Sequence, residues 1–123
     1  MKNKKNNYAD LYLLPLPKKN LEKYRRIATK FGKLARELGA LDYREFQGDD
    51  LFPKGVLSFT KTTKLGRGDI LITAVVDFKS RTHRDQVMKK MFNDPRMETM
   101  MQGEEIADMK KMYYGGFKTI VNV

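Results

Sequence analysis

Three carboxylic side chains fall within stretches that are predicted to form β-strands: Asp10, Glu45 and Asp77. A carboxylate on the inner face of a strand must find a partner or shift its pKa, and such shifts produce general acids and bases. If Asp10 shares the inner face with Tyr12, it points into the space between two paired sheets. Glu45 joins it there if Tyr43 also faces inward. The alternative is a structural role, in an ion pair with an arginine or at an edge that faces water.

The segment 94–97 is a candidate for binding an anion. It has the sequence DPRM, and the guanidinium of Arg96 can hold a carboxylate in bidentate fashion. The structural alternative is that Asp94 caps a short helix opened by Pro95. Arg96 would then close an ion pair at the edge of a subunit.

Two tyrosines beside these polar residues are predicted to form the walls of a cavity. Tyr12 follows Asp10 by two positions, and Tyr114 precedes the pair Gly115-Gly116, which indicates a bulge or a close backbone approach. The alternative is that such tyrosines pack at a dimer seam. No catalytic residue is assigned. The candidate ligand-binding residues are Asp10, Tyr12, Glu45, Arg96 and Tyr114.

Metal and cofactor chemistry has little support in the sequence. The chain has no cysteine, which excludes disulfides and thiolate metal sites. Its one histidine, His83, could ligate haem iron, but no other motif accompanies it, and a rim or surface position is the alternative. A zinc site needs three or four ligands. We therefore predict no cofactor and no metal.

The stretch 70–78 must be the strand around which the fold is organised. It carries apolar residues on both faces, and a strand of this kind must be covered on both sides. Ser80 then suits the cap of a helix that ends at 93–95. A chain of 123 residues has helices for one face of the sheet, so we infer that a second subunit covers the other.

The other elements follow from hydrophobic periodicity and from turn residues. Apolar positions spaced by three and four predict a helix over 20–38, with Asn20 at its N-cap and Gly39 just after its end. Residues 51–69 are less regular and include a short predicted strand at 56–60. The remaining predicted elements are strands at 8–16, ended by prolines at 15 and 17, at 41–47 and at 112–123.

This order is β-α-β-β-α-β, which predicts an α+β, ferredoxin-like fold with a four-stranded antiparallel sheet and both helices on one face. We predict a disordered basic tail at 1–7 and a single domain at 8–123. The other face of the sheet is apolar, and an exposed face of that size is unusual for a monomer. We therefore expect a homodimer through the open sheet face, in which two sheets pair into a dimeric α/β barrel.

A set of short motifs is spread along the chain: Tyr8-x-Asp10, Glu45 with Gly48-Asp49-Asp50, Ser80-Arg81 with Arg84-Asp85, Asp94-Pro95-Arg96-Met97 and Tyr114-Gly115-Gly116-Phe117. In these motifs the sequence resembles the YbaA-like family, a small bacterial family of unknown function, over nearly all of the chain from residue 8. The resemblance implies a ferredoxin-like fold in the dimeric α/β-barrel superfamily, and no particular activity. That superfamily includes cofactor-independent monooxygenases, haem-degrading enzymes and stress-response proteins, so fold analogy spreads the functional expectation.

The formal net charge of +10 is typical of nucleic-acid-binding proteins. Most of the excess lies in residues 1–7 and 18–38, however, where a solvated helix face and a frayed end account for it. We therefore treat nucleic acid as an unlikely partner. The apolar segment 11–16 is too short for a signal peptide or a membrane span, and we expect a cytoplasmic protein with no membrane partner.

Three functions are compatible with the sequence, and it does not decide whether the protein is an enzyme. The first is a dimer that binds or transforms a small, partly apolar molecule in a cavity between sheet and helices. The second is a non-catalytic stress-response or interaction dimer, in which the polar strand residues are structural. The third is a basic nucleic-acid binder that uses the Lys/Arg face of residues 18–38.

Overall fold

The computed structural model describes residues 5–101 and 106–123. Its helices and strands follow the predicted order. Two short helices are added, and the one that Pro95 opens is the helix that the structural alternative for segment 94–97 expects. The elements are β1 (Tyr8–Pro17), α1 (Leu21–Glu37), β2 (Asp42–Gln47), α2 (Phe59–Thr62), β3 (Asp69–Phe78), α3 (Arg81–Phe92), α4 (Pro95–Met101) and β4 (Tyr113–Lys118). The predicted tail at 1–7 lies mostly outside the described residues. Asn7 already bonds to the sheet, because its backbone N–H donates to the carbonyl of Phe78 at 3.1 Å.

The four strands form one antiparallel sheet in the order β2-β3-β1-β4. This is the order of a β-α-β-β-α-β unit in which the two halves interleave, so the predicted α+β, ferredoxin-like fold is confirmed. The sheet is open, with β2 and β4 as its edges. The predicted barrel would need a second chain and stays a prediction.

Helices α1 and α3 cover one face of the sheet, as predicted. The core between helices and sheet contains Leu34 and Ala35 of α1, Val87 of α3, and Val76 and Phe78 of β3, all at least 95% buried. Ser80 caps α3 by accepting a hydrogen bond from the backbone N–H three residues later, at 3.0 Å. The position of α3 on the sheet therefore follows directly from the predicted strand–cap–helix sequence.

The two ends of α1 differ in how far they match their predicted caps. Gly39 follows its C-terminus with a φ of +126°, a conformation that favours glycine. Asn20 occupies the N-cap position, but its side chain makes no capping bond. Its amide instead donates to the backbone carbonyl of Ile106 at 2.8 Å. This bond ties the start of α1 to the segment that leads into β4.

Three local predictions are wrong. The last strand, predicted over 112–123, ends at Lys118. Pro15 does not end β1. Strand β4 pairs with β1 only as far as Leu13, so beyond that point β1 has one neighbouring strand. A proline is tolerated there because no backbone N–H is needed on the unpaired side. Residues 56–60 do not form a strand. Ser58 instead accepts a hydrogen bond from the backbone N–H of Thr60 at 3.2 Å and begins α2.

The other face of the sheet carries no long helix among the described residues. Direct cross-strand neighbours point to the same face, which places Leu11 and Leu13 of β1 with Val75 of β3 and Phe117 of β4 on this side. The segment 48–65 covers one end of it, where the hydroxyl of Tyr113 donates to a carbonyl of α2 at 3.0 Å. We call the uncovered remainder the open sheet face.

Candidate functional site

A row of polar and small residues crosses the helix-covered face of the sheet. The register aligns Glu45 of β2 with Ala74 of β3, Ala74 with Tyr12 of β1, and Tyr12 with Tyr114 of β4. Three of the five candidate residues therefore lie in one line across four strands. The small side chain of Ala74 separates Glu45 from the two tyrosines.

A groove of about 730 Å³ lies between α1 and the edge strand β2. Leu21 and Ala28 of α1 and Ile72 of β3 supply apolar walls, and Glu45 lies in its lining. This volume falls in the range of about 300–1,000 Å³ in which small-molecule sites occur. The groove therefore has the size of a ligand site, and its lining is about equally polar and apolar.

Two tyrosine hydroxyls hold the carboxylate of Glu45 in this groove. Tyr24 of α1 donates to one carboxylate oxygen, and Tyr43 of β2 donates to the other at 2.5 Å. Burial, and then the negative charge of Glu45, raise the pKa of both tyrosines above the ordinary value. Because their hydroxyls stay protonated, they act as hydrogen-bond donors that fix the carboxylate in place.

The helix approaches β2 closely at Gly32. A Cβ atom at this position would lie 2.6 Å from a ring carbon of Tyr43, so the tyrosine ring fills the space of the missing side chain. Phe31 packs on the same ring at a centroid distance of 5.8 Å. The close approach of α1 thus locks the donor that holds Glu45.

Basic residues of α1 surround the opening of the groove. Arg25, Lys33 and Arg36 line it, and all three are exposed. Asp42 also lines it, but this carboxylate pairs with the guanidinium of Arg44 at 3.3 Å. The rim is therefore net positive, whereas the inner wall holds one fixed carboxylate.

A second polar cluster lies at the β1–β4 side of the same sheet face. Asp10 is fully buried, and one of its oxygens accepts a hydrogen bond from the Arg84 guanidinium of α3 at 2.7 Å. The same guanidinium nitrogen bonds to the hydroxyl of Tyr114, and its plane lies over the ring of Tyr8 at 5.3 Å. Gly116 makes room for this arrangement, since a Cβ there would clash with the Tyr8 hydroxyl.

Burial raises the pKa of Asp10 and outweighs the opposing effects of Arg84 and Tyr114. Its second oxygen has no hydrogen-bond partner among the described residues, which leaves the carboxylate half satisfied. Burial and the charge of Asp10 also raise the pKa of Tyr114 to about 12. The expectation that Asp10 points between two sheets is wrong, because its face of the sheet is the one that the helices cover.

Tyr12 lies between the two clusters. Its ring packs on Tyr114 at a centroid distance of 4.8 Å, and burial, followed by the charge of Asp10, raises its pKa. The register places Glu45 and Tyr12 on either side of Ala74, and the charge of Glu45 makes a small further contribution to the raised pKa of Tyr12. Tyr12, Tyr114, Asp10 and Glu45 thus share one face of the sheet, the one that the helices cover.

Arg96 lies apart from this surface. Its guanidinium pairs with Glu37 at the end of α1 at 2.6 Å and with Asp94 at 2.8 Å. Asp94 also accepts the backbone N–H of Arg96 at 2.9 Å, so it caps α4 as the structural alternative expects. The side-chain hydrogen bond from Arg96 is the main cause that lowers the pKa of Asp94 to about 2.

Sequence reasoning missed three residues of the two clusters: Tyr24, Tyr43 and Arg84. Tyr24 looked like one more apolar position of the α1 stripe, and Tyr43 like an inward strand residue. Arg84 stood among charged neighbours at the start of a helix. Their signal is chemical: each carries a donor at a position that faces the sheet, and a donor so placed needs an acceptor.

A second cavity, of about 470 Å³, lies on the opposite side of the sheet beneath the segment 48–65. Leu11, Leu13, Phe59 and Leu71 make its lining mainly apolar. Within the described ranges, no group of three acidic or histidine side chains is placed to hold a metal ion. None of the described helices has the length and apolar character needed to cross a membrane.

A family model described as "Protein of unknown function (DUF1428)" matches residues 7–109. The chain is 31% identical over 116 residues to the "Uncharacterized protein YbaA" of Escherichia coli K12 and of Shigella flexneri, covering 94% of this chain and 97% of each relative. It is also similar to the crystal structure of "a dimeric ferredoxin-like protein" from an uncultured marine organism. That similarity has a TM-score of 0.59 at 10% identity and covers 95% of this chain and 98% of the other.

Proposed function

This chain belongs to the DUF1428 family of proteins of unknown function, and we propose that it is a homodimer of the bacterial cytoplasm that binds a small, partly apolar molecule between its sheet and its helices. The observation that carries the proposal is the groove between α1 and β2. It contains a carboxylate, Glu45, that two tyrosine hydroxyls hold in one orientation.

The arrangement suits binding because the protein's own side chains fix the Glu45 carboxylate. Tyr24 and Tyr43 are fixed by the helix and the strand, so little side-chain freedom is lost when a molecule enters. Apolar area at Leu21, Ala28 and Ile72 lies beside the carboxylate. A molecule with an apolar body and a polar group therefore finds a complement to both.

The homodimer is supported by the apolar character of the open sheet face. Phe46 is 43% exposed and Phe117 55% exposed there, and Val75 lies between them on the same side. A solved structure with the same fold is described as dimeric. Pairing of two open sheet faces would bury these side chains at about 25 cal/mol per Å² of apolar area.

The binding proposal is tested by a thermal-shift screen of metabolites against three proteins: wild type, Glu45→Gln and Glu98→Gln. Glu98 is an exposed carboxylate on α4, away from the groove, so it is a matched control. We expect at least one compound to raise the Tm of wild type and of Glu98→Gln by several degrees, and to raise that of Glu45→Gln far less.

Two results would contradict the proposal. One is that no compound stabilises the wild type. The other is that every stabilising compound acts equally on Glu45→Gln, which would place its binding site elsewhere on the molecule. If the groove is only a structural joint, Glu45→Gln lowers the Tm without changing any ligand shift.

A further inference from the structure

We propose that the ligand of the α1–β2 groove is a small organic acid that also carries a hydroxyl or amino group: the donor group binds Glu45, and the acidic group lies among the basic residues of the rim. This inference rests on the proposed function and specifies the chemical class of the molecule that the groove takes.

The first support is that Glu45 has capacity for a further donor. Each of its two oxygens accepts one tyrosine hydroxyl, while an ionised carboxylate offers about four acceptor sites. The two arginines that line the same groove pair elsewhere, since Arg25 bonds to Glu22 and Arg36 contacts the carbonyl of Ala40. A half-buried carboxylate that these arginines leave to hydroxyl donors favours a ligand that brings a further hydrogen-bond donor to it.

The second support is the surplus of positive charge at the rim. Arg25 bonds to Glu22 at 3.0 Å, but both side chains are about two-thirds or more exposed, so this pair is weak. Arg36 makes a long contact of 3.5 Å with the carbonyl of Ala40. Lys33 adds a third positive charge on the same side of α1, so an acidic group would be attracted from solvent.

The two supports together narrow the class of ligand. A plain amine would be attracted by Glu45 and repelled by the three positive charges that line the same groove. A plain acid would be attracted by the rim and leave the remaining acceptor sites of the Glu45 carboxylate unused. A molecule with both groups matches the whole groove, and its carbon skeleton lies against Leu21, Ala28 and Ile72.

The test uses four probes of nearly the same shape: 4-hydroxyphenylacetate, its neutral amide, phenylacetate and tyramine. 4-Hydroxyphenylacetate carries both the acid and a hydroxyl donor. Its amide lacks the acid, phenylacetate lacks the hydroxyl, and tyramine has an amine in place of the acid. Binding is measured by isothermal titration calorimetry and by NMR shifts of the groove residues. We expect 4-hydroxyphenylacetate to bind at least ten-fold more tightly than each of the other three.

Variants assign each group to its contact. The double variant Lys33→Gln/Arg36→Gln should weaken the binding of 4-hydroxyphenylacetate about ten-fold. It should leave the binding of the amide unchanged. The matched control, Arg26→Gln with Lys30→Gln, removes two exposed charges of the same helix that do not line the groove, and it should have a much smaller effect. Glu45→Gln should reduce the preference for the hydroxylated acid over phenylacetate.

The proposed class of ligand is wrong if the neutral amide binds as tightly as the acid. It is also wrong if none of the four probes shifts the NMR signals of the groove residues. In that case a neutral compound from the metabolite screen that still depends on Glu45 would leave the proposed function standing. If neither these probes nor any compound of the screen depends on Glu45, both the class and the proposed function fail.

Discussion

At the scale of single residues, Asp10 and Arg84 form the most deeply buried charged pair among the described residues. The side chain of Asp10 is inaccessible to solvent and that of Arg84 is 13% exposed. Removing one member of such a pair leaves the other charge buried without compensation, which costs more than the pair itself contributes. The pair joins α3 to the centre of the sheet and therefore matters for the stability of this end of the molecule.

We expect Arg84→Met to lower the free energy of unfolding by about 3 kcal/mol at pH 8, because it leaves the Asp10 carboxylate unpaired. The loss should be smaller at pH 5. Burial already raises the pKa of Asp10, so the folded state binds the proton of this carboxyl group more tightly than the unfolded state does. Stability therefore falls as the pH rises from the unfolded pKa of Asp10 through its raised folded pKa. Urea unfolding at both pH values measures the effect.

The control for this variant is Asp85→Asn, which removes the other carboxylate that bonds to Arg84. The side chain of Asp85 is 60% exposed, so we expect a change below about 1 kcal/mol at either pH. Equal losses of unfolding free energy in Arg84→Met and Asp85→Asn would show that the buried pair contributes no more to stability than the exposed one.

His83 should make stability depend on pH near neutrality. Its Nδ1 accepts the backbone N–H of Lys79 at 2.9 Å, which requires the neutral ring. Burial, with the charge of Lys79, lowers the pKa of His83 below 6.5. The unfolded state therefore binds the proton first, and stability is lost as pH falls from about 6.5 through the lowered folded value.

The matching variant is His83→Asn, because an amide oxygen can accept the same backbone N–H without titrating. We expect the Tm of wild type to fall more steeply than that of His83→Asn between pH 7.5 and pH 5. Parallel Tm curves for the two proteins would contradict a titrating role for this histidine.

At the scale of elements, the groove depends on how closely α1 lies on β2. Gly32 permits this approach, and the ring of Tyr43 occupies the space that a larger residue would take. Glycine is a poor helix former, and alanine is favoured by about 1 kcal/mol at an ordinary interior position. The presence of glycine here follows from packing and not from helix propensity.

We expect Gly32→Ala to destabilise the protein by about 1–3 kcal/mol, in spite of the gain in helix propensity, because the new Cβ would lie 2.6 Å from the Tyr43 ring. Lys30→Ala, at an exposed position of the same helix, should change stability by less than about 0.5 kcal/mol. Chemical denaturation measures both. A more stable Gly32→Ala protein would show that α1 can move away from β2 at little cost.

At the scale of the whole molecule, the chain has a covered and an uncovered side of its sheet. Helices α1 and α3 bury one side, whereas the segment 48–65 covers only one end of the other. Apolar side chains such as Val75 and Phe117 remain on the open sheet face. The charged residues Arg44 and Asp77 lie on the same face by the register. Exposed apolar side chains on a sheet face favour an interaction surface, and the proposed homodimer would place two such faces together.

We expect sedimentation equilibrium at micromolar concentration to give a dimer for wild type and a monomer for Val75→Glu, since the charge would be buried between two sheets. The control is Lys30→Glu, at an exposed position of α1 on the other side of the sheet, which should remain dimeric. A monomeric wild type, or a Val75→Glu protein that stays dimeric, would contradict pairing through the open sheet face.

The sequence by itself determined the order of the elements and the fold class, and it grouped the residues of each strand into two alternating faces. Apolar periodicity, Ser80 and Gly39 predict local structure from neighbours within a few residues, and the register then follows from which face must be buried. The same alternation put Asp10 and Tyr12 on one face of β1, but it did not decide whether helices or a second sheet cover that face. Family resemblance in the motifs led to the same fold.

Only the tertiary structure decided which side chains meet. The bonds of Tyr24 to Glu45 and of Arg84 to Asp10 join residues 21 and 74 positions apart, and no local pattern encodes a distance across the sheet. The same holds for Arg96, whose partner Glu37 lies on a different helix. Hydrophobic burial selects the faces of elements, whereas polar partners are selected by the relative placement of elements after they have packed.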